Sequence, residues 1–573
     1  MLRKKRWAIM MAFALAVTSM LGGCTSGATQ TSSSASTQTA ALGYADEMDK
    51  TKIMTVQISA DEAEWQSMLD NAAAEEYISA DITINGTTIK NAGIRPKGNS
   101  SLSSIVKDDT TDRYSFKIKF DAYVKGQTWQ GLDKLVLNNN FSDATSLKEY
   151  LSYDIMSYIG VDAPLYSFAD ISLNGKTWGL YLAVEDVDGS YLDRVDGGEG
   201  ELYKPENEMG AGGRPDRAQD AVGATASSPA AAEDGTGTVQ NTAQNTAQNT
   251  EQRRPDRPNG GGMGGMSGMA NNGVSLQYTD DEIGSYSAIF DNAKTKTDEA
   301  DEQRVIAALK NLGEGKDLET YVDVDAVFRY FAAHTAVVNL DSYVSNMGHN
   351  YYLYENDGQI SILPWDYNLA FGGFQSGSAS DVANFPIDTP VSGVSLEERP
   401  LLAKMLEVPA YLATYHQYLQ DIVDGYFADG KFEQKVDTLS ALIAEYVKND
   451  PTAFYDDEAF EAGVTELKKL GALRAESIQG QLDGTIPSTT EGQKADSSAL
   501  VDASSVNLQA LGSQGGEGGR GGPGGQGGPN GQGGPNGQGF PGGQGDRSGQ
   551  GAPPGDERAK SRDGPAGLSP SAR

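Results

Sequence analysis

Along the chain, apolar residues recur with two different periods in two stretches, and recur with no period elsewhere. In the first stretch they alternate with polar residues, as in half-buried strands. Residues 53–58 read as a strand, and Asp61 caps a helix running through Leu69. Strands at 77–84 and 87–94 flank Asn85-Gly86, and strands at 168–173 and 178–184 flank Asn174-Gly175. Both dipeptides mark two-residue hairpin turns. Further strands are expected at 114–120 and 135–139, with a helix over 146–159 behind Asp143. In the second stretch the period lengthens to that of helices, at 302–312, 324–338, 401–405, 411–426, 432–448 and 460–481. One hairpin interrupts it, 350–354 with 359–363 around Asp357-Gly358. The expected class is α+β, a β-rich half followed by a mainly helical half.

Composition sets the borders. The 573 residues include 69 Gly and 22 Pro, and these cluster. Residues 206–274 hold Gly210-Ala-Gly-Gly-Arg-Pro and Asn241-Thr-Ala-Gln repeats, and read as a disordered insert. Residues 491–573 read as a disordered Gly/Pro-rich tail, and 25–45 as a flexible linker. The folded parts are then 46–205 and 275–490. Residues 1–24 read as an export leader: Arg3 to Arg6 are basic, 7–20 are apolar, and Leu21-Gly22-Gly23-Cys24 resembles a lipobox. The apolar run is shorter than the roughly 20 residues a membrane span needs. Cys24 is therefore the expected lipidation site, tethering the chain to the cell membrane on its extracytoplasmic face.

The net charge of −34, from 79 acidic and 45 basic residues, argues against nucleic acid and favours basic partners. A single cysteine excludes an internal disulfide, and three histidines make a multi-histidine zinc centre improbable.

Two acids stand out. Asp341 opens a polar loop after an apolar helix, and Asp366 follows a buried-looking strand and precedes an apolar, Gly-containing turn. Acids bracketing a hairpin can converge on one pocket, as the catalytic and metal loops do in phosphoryl transfer. On the lysine-bearing side, Lys97, Gly98 and Ser100 offer a small-residue loop for phosphate oxygens. Lys117 and Lys119 share one face of a strand. Either lysine could pair phosphates, with Glu149 as its partner on the following helix; Glu185 stands where an adenine-binding hinge would fall. A hydrolase built on His334 or His349 lacks a Gly-x-Ser-x-Gly elbow.

These blocks resemble the CotH family of atypical, spore-coat-type protein kinases. The resemblance rests on Asn339-Leu-Asp341, Asn350-Tyr-Tyr-Leu-Tyr354 and Pro364-Trp-Asp-Tyr367. It extends to Arg95-Pro-Lys-Gly-Asn-Ser-Ser101, where Lys97 replaces the family's usual Arg, and to Leu137-Asn-Asn-Asn-Phe141. Gly179-Leu-Tyr-Leu-Ala-Val-Glu185 and Leu202-Tyr-Lys204 complete it, over about 50–480 without the insert. The resemblance implies a two-lobed atypical kinase fold, ATP, and Mg²⁺ or Mn²⁺. It makes Asp341 the catalytic carboxylate and Asp366 a metal ligand, with Asn350 or Asn346 as a second metal or loop-ordering group. The implied function is transfer of the ATP γ-phosphate to Ser/Thr of envelope or spore-coat proteins, with basic Ser-rich proteins as candidate substrates. The alternative is a non-catalytic surface module that keeps the fold for binding or coat assembly.

Overall fold

A computed structural model describes residues 42–206 and 273–512. The expected leader with Cys24, nearly all of the linker and insert, and the tail from 513 onward lie outside the described residues.

The alternating stretch closes on itself. Strands β1 (Ile53–Ala60), β2 (Ile78–Ile84), β3 (Thr87–Lys97), β4 (Ser115–Lys119), β5 (Lys134–Asn138), β6 (Tyr166–Leu173) and β7 (Lys176–Glu185) form a barrel in the order β1-β2-β3-β4-β5-β7-β6. A parallel pairing of β1 with β6, from Ile53↔Phe168 to Ile58↔Leu173, completes it. Both hairpin turns fall as expected, with Asn85 and Gly86 at φ +47° and +86°, and Asn174 and Gly175 at +49° and +78°. Helix α1 (Glu62–Asp70) starts where the Asp61 carboxylate accepts from the Ala63 and Glu64 N–H groups. Helix α2 (Ser100–Ile105) follows β3.

One side of the barrel is buried twice. On β5 and β7, Leu135, Leu137, Tyr181 and Ala183 fill the interior, while Val136, Leu180, Leu182 and Val184 point outward into a second core. That outer face packs under helix α3 (Lys148–Ile159), which buries ten of its twelve residues. A continuous apolar run on β7 is the expected sequence of a strand covered on both faces. Gly160 ends α3 in a left-handed conformation, φ +84°. Helix α4 (Gly189–Asp196) and strand β8 (Glu201–Tyr203) lead out of this half.

The second half contains α5 (Glu299–Glu314), α6 (Val324–Val337), the hairpin β9 (Tyr351–Asn356) and β10 (Gln359–Pro364), then α7 (Pro400–Leu406), α8 (Pro409–Ile422), α9 (Lys431–Lys448) and α10 (Asp457–Leu482). β8 pairs with β9, Leu202↔Tyr354 and Tyr203↔Leu353, and so stitches the two halves together across the insert. No described helix is long and apolar enough to cross a membrane.

One expected border is corrected. Residues 491–512 belong to the fold rather than to the tail: Ala503, Val506 and Leu511 are buried, and the Ala144 N–H donates to the Leu511 carbonyl at 3.2 Å. Their apolar residues give no helical or strand period, but Ala503, Val506 and Leu511 reach the core and Leu508 packs against it.

A buried ion pair joins the two halves. Arg113 Nη1 reaches Asp450 Oδ2 at 2.7 Å and Thr452 Oγ1 at 2.7 Å, while its Nε donates to the Asn139 carbonyl. Its guanidinium stacks over Tyr181, and both charged side chains are almost completely buried. Arg113→Ala leaves the Asp450 carboxylate buried without its cation and is expected to cost about 3–5 kcal/mol in urea unfolding. A loss below about 1 kcal/mol, the scale of an exposed pair, would show that the pair does not join the halves.

Candidate functional site

Helix α6 aims the site. Its C-terminal carbonyls need partners, and the turn after β10 supplies them: Phe371 N–H donates to Val337 O at 2.7 Å and Gly372 N–H to Val338 O at 3.4 Å. Val338 ends the helix at φ +50°, a costly conformation for a β-branched residue. The chain then turns into the Asp341 loop. Asn339 is fully buried; its amide nitrogen donates to the Asp366 carbonyl at 3.3 Å, and its amide oxygen accepts from the Asp341 N–H at 3.1 Å. The two acids predicted from sequence are thus held to one side chain.

Asp341 is tightly held. His349 Nε2 lies 2.5 Å from Oδ1, and Asn350 donates to Oδ2 at 3.0 Å and to the Asp341 carbonyl at 2.9 Å. Asn350 and Asp366 adopt φ of +54° and +60°. Together with Val338 and Phe371, at +50° and +54°, they concentrate backbone strain on the two loops, as functional sites do. Of Asn346 and Asn350, Asn350 is the one that bonds Asp341. Asn346 is exposed and tied by its backbone to Ser392.

From the barrel side comes a relay. Lys97 Nζ donates to Asn138 Oδ1 at 3.2 Å, and the Asn138 amide donates to both Glu149 oxygens at 3.0 and 2.9 Å. Tyr153 O–H also donates to Glu149, at 3.2 Å, and its oxygen accepts from the Asp366 N–H at 3.2 Å. Burial, then the nearby Asp366, push the Glu149 carboxyl up to about 7. Burial lowers Lys97, with Asp366 pulling the other way. The expected lysine–glutamate pairing is therefore corrected: Lys97, through Asn138, serves Glu149, while Lys117 pairs with Asp186 at 2.9 Å. On β4, register decides this, since Lys117 faces Val136 and points to the β7 exit.

Glu185 is also reassigned. It accepts from Tyr44 O–H at 2.6 Å, Arg194 at 2.7 Å and the Leu165 N–H at 2.9 Å, and is wholly buried. These contacts lock α4 to the barrel, and the next acid, Asp186, takes the lysine. Of the expected phosphate loop, Ser100 begins the short α2 and is exposed, and Gly98, at φ +135°, makes the turn into it. Lys97 is the member of that loop whose charge responds to Asp366 and Glu149.

Two more cations stand nearby: Lys204, which ends the Leu202-Tyr-Lys204 block, and Lys294, which the sequence reading missed. Lys97 Nζ lies 5.6 Å from the Trp365 ring centre, and Lys204 Nζ lies 6.0 Å from it and 5.9 Å from that of Tyr352. Lys294 joins them through the strand: its N–H donates to Leu202 O, and the Lys204 N–H donates to Asn292 O. Its side chain remains solvent-accessible, while burial of its surroundings, then Lys204 and Lys117, push it down to about 8. Lysines drawn from β3, β4 and the segments beside β8 thus repel one another in a chain of net charge −34. An anionic ligand would relieve that cost. Lys294 lies beyond the insert in an unpatterned segment, so only the fold reveals it.

Among the described residues, no three His, Cys, Asp or Glu side chains form a preformed metal nest. Mg²⁺ and Mn²⁺ sites in phosphoryl transfer commonly use one or two carboxylates plus substrate phosphates. Asp366 and Asn350, with Glu149 behind them, are hard oxygen donors of that kind.

The fold and site together define a mixed α+β protein in which a β-rich half brings lysines beside the Asp366 loop of a helical half, and that loop is tied to the Asp341 loop. The chain belongs to the CotH family: residues 94–478 match the family model described as CotH kinase protein. Inner spore coat protein H of Bacillus subtilis (strain 168) is 22% identical over 349 residues, covering 59% of this chain and 76% of that protein.

The Glu149 environment has a sign that can be checked. Its folded value, about 7, lies above the ordinary 4.5. Folding is therefore favoured at low pH and loses this contribution as pH rises through 7. Glu149→Gln should gain on the wild type by roughly 3 kcal/mol between pH 4.5 and 8 in urea unfolding of metal-free protein. A difference that does not change with pH would show that Glu149 ionises freely.

Proposed function

We propose that the protein is an extracytoplasmic protein kinase that transfers the ATP γ-phosphate to Ser or Thr of envelope or spore-coat proteins, with Mg²⁺ or Mn²⁺. The observation that carries this is the joint fixing of Asp341 and Asp366 by Asn339, with Lys97 close enough to Asp366 to feel its charge. Asp341 orients the acceptor hydroxyl and takes its proton as the oxygen attacks phosphorus and ADP leaves. Asn350 and His349 keep its carboxylate in place. Asp366, with Asn350, would hold the metal, whose charge offsets that of the phosphates. Lys97, Lys204 and Lys294 face the polyphosphate. Because transfer of this kind is mostly positioning and electrostatics, the rigid loops and the cation cluster supply most of what it requires.

The acidic surface suits basic, Ser-rich clients and disfavours nucleic acid. The lipobox at Cys24 and the relative named as a spore coat protein support action outside the cytoplasm, from a lipid anchor in the membrane.

With radiolabelled ATP and a basic Ser-rich protein, Asp341→Asn should lose about 10²-fold or more of the transfer rate. Its stabilisation by Mg–ATP in a melting assay should persist. Asp366→Ala should lose both. Equal labelling by wild type and Asp366→Ala would overturn the assignment, and a wild type that Mg–ATP does not stabilise would favour the non-catalytic module.

The lysines predict a pH effect. A lysine carries its charge below its own value, so ATP affinity should hold below about 8 and decline as Lys294 deprotonates above it. Lys294→Met should remove that decline in calorimetric titrations; an unchanged profile would exclude Lys294 from phosphate binding.

A further inference from the structure

His334 takes no part in the proposed transfer, yet it lies between its two halves. It sits on the last turn of α6, 1% exposed, with its ring stacked on Tyr330 at 5.4 Å. Its Nδ1 is 2.7 Å from the Tyr367 hydroxyl, and its Nε2 is 3.1 Å from the Ser342 hydroxyl. Tyr367 directly follows Asp366, and Ser342 directly follows Asp341. One ring therefore touches the residue next to each acid.

The hydrogen bonds fix its proton. The Ser342 O–H donates to the Asn339 carbonyl at 2.7 Å, so its oxygen is left to accept from the imidazole. The Nε2–H then donates to Ser342, and Nδ1 accepts the Tyr367 O–H. The Tyr367 O–H is also directed at the Tyr330 oxygen, at 3.3 Å, but the 2.7 Å contact to Nδ1 is much the shorter and takes the proton. Every group facing the ring is a neutral hydroxyl, an aromatic ring or a backbone carbonyl, so protonating it would strand a buried charge. Burial accordingly lowers the ring to about 3.

We propose that His334 is a positioning residue, a permanently neutral imidazole that sets the spacing of the Asp341 and Asp366 loops and so the geometry in which metal and acceptor meet. It works alongside Asn339, which ties the backbones, by fixing the side chains that flank each acid. The part of the proposal that concerns metal rests on the kinase reading; the coupling of the loops does not.

Hydrogen exchange with and without Mn²⁺, and Mn²⁺ titration followed by electron paramagnetic resonance, separate the two. In His334→Phe, which retains an aromatic ring, residues 338–345 and 365–373 should both exchange roughly tenfold faster while α8 and α9 keep their protection. Mn²⁺ affinity should fall about tenfold, the usual loss when a group that orients ligands is removed. Tyr367→Phe should loosen 365–373 alone. Nitrogen-15 spectra should show the Nε2–H tautomer without titration from pH 5 to 9. Unchanged exchange in both loops of His334→Phe, or an Nδ1–H tautomer, would overturn the proposal. If His334→Phe does not fold, the Tyr367→Phe/Ser342→Ala cycle decides: non-additive exchange in the two loops supports the coupling, and additive effects refute it. A wild type that binds no Mn²⁺ would sink the kinase reading and leave the exchange arm to judge the positioning role.

Discussion

Much of this molecule depends on a single buried amide. Asn339 has one donor group on the Asp366 loop and one acceptor on the Asp341 loop. A buried amide left unsatisfied on either side costs on the order of 1–3 kcal/mol, so the two loops resist moving apart. The strained conformations of Val338, Asn350, Asp366 and Phe371 persist for the same reason, since the surrounding hydrogen bonds over-determine them. The turn after β10 also caps the carbonyls of α6, so the loop that carries one acid finishes the helix that presents the other.

Helix α3 is the counterpart on the barrel side. It has almost no solvent face, so its placement is set by packing rather than by amphipathic balance. Its first turn carries Glu149 to the Asp366 loop, and Tyr153, one turn on, bonds both Glu149 and the Asp366 backbone. Burying Glu149 near Asp366 has a cost, seen in its carboxyl being pushed up to about 7.

Local patterns were legible in the sequence wherever a residue's neighbours in the chain decide its role. The Asn-Gly turns, the Asp61 cap, the long helices and the β9–β10 hairpin all fall near their expected places. The acids were legible because a helix–loop–hairpin–turn order brackets them. What the sequence could not show depends on pairing across the chain: the parallel β1–β6 closure, the β8–β9 stitch, and which lysine meets which acid. Lys117 and Lys97 carry the same charge on adjacent strands, and only the register separates their partners. Glu185 looked like a hinge acid because its strand ends there, but Arg194, nine residues on, claims it. Lys204 and Lys294 became neighbours only when the chain returned from beyond the insert.

Lys148 gives the ordered C-terminal segment a further meaning. Its ammonium is fully buried, and it donates to the carbonyls of Ser142 at 3.1 Å and Gly512 at 2.9 Å. Gly512 is the last described residue, and it adopts φ +74° against the Ser142 backbone, where a side chain would collide. The barrel-side helix that presents Glu149 therefore has its root anchored by a residue 364 positions later. Nascent chains cannot complete this contact until synthesis has passed the entire helical half.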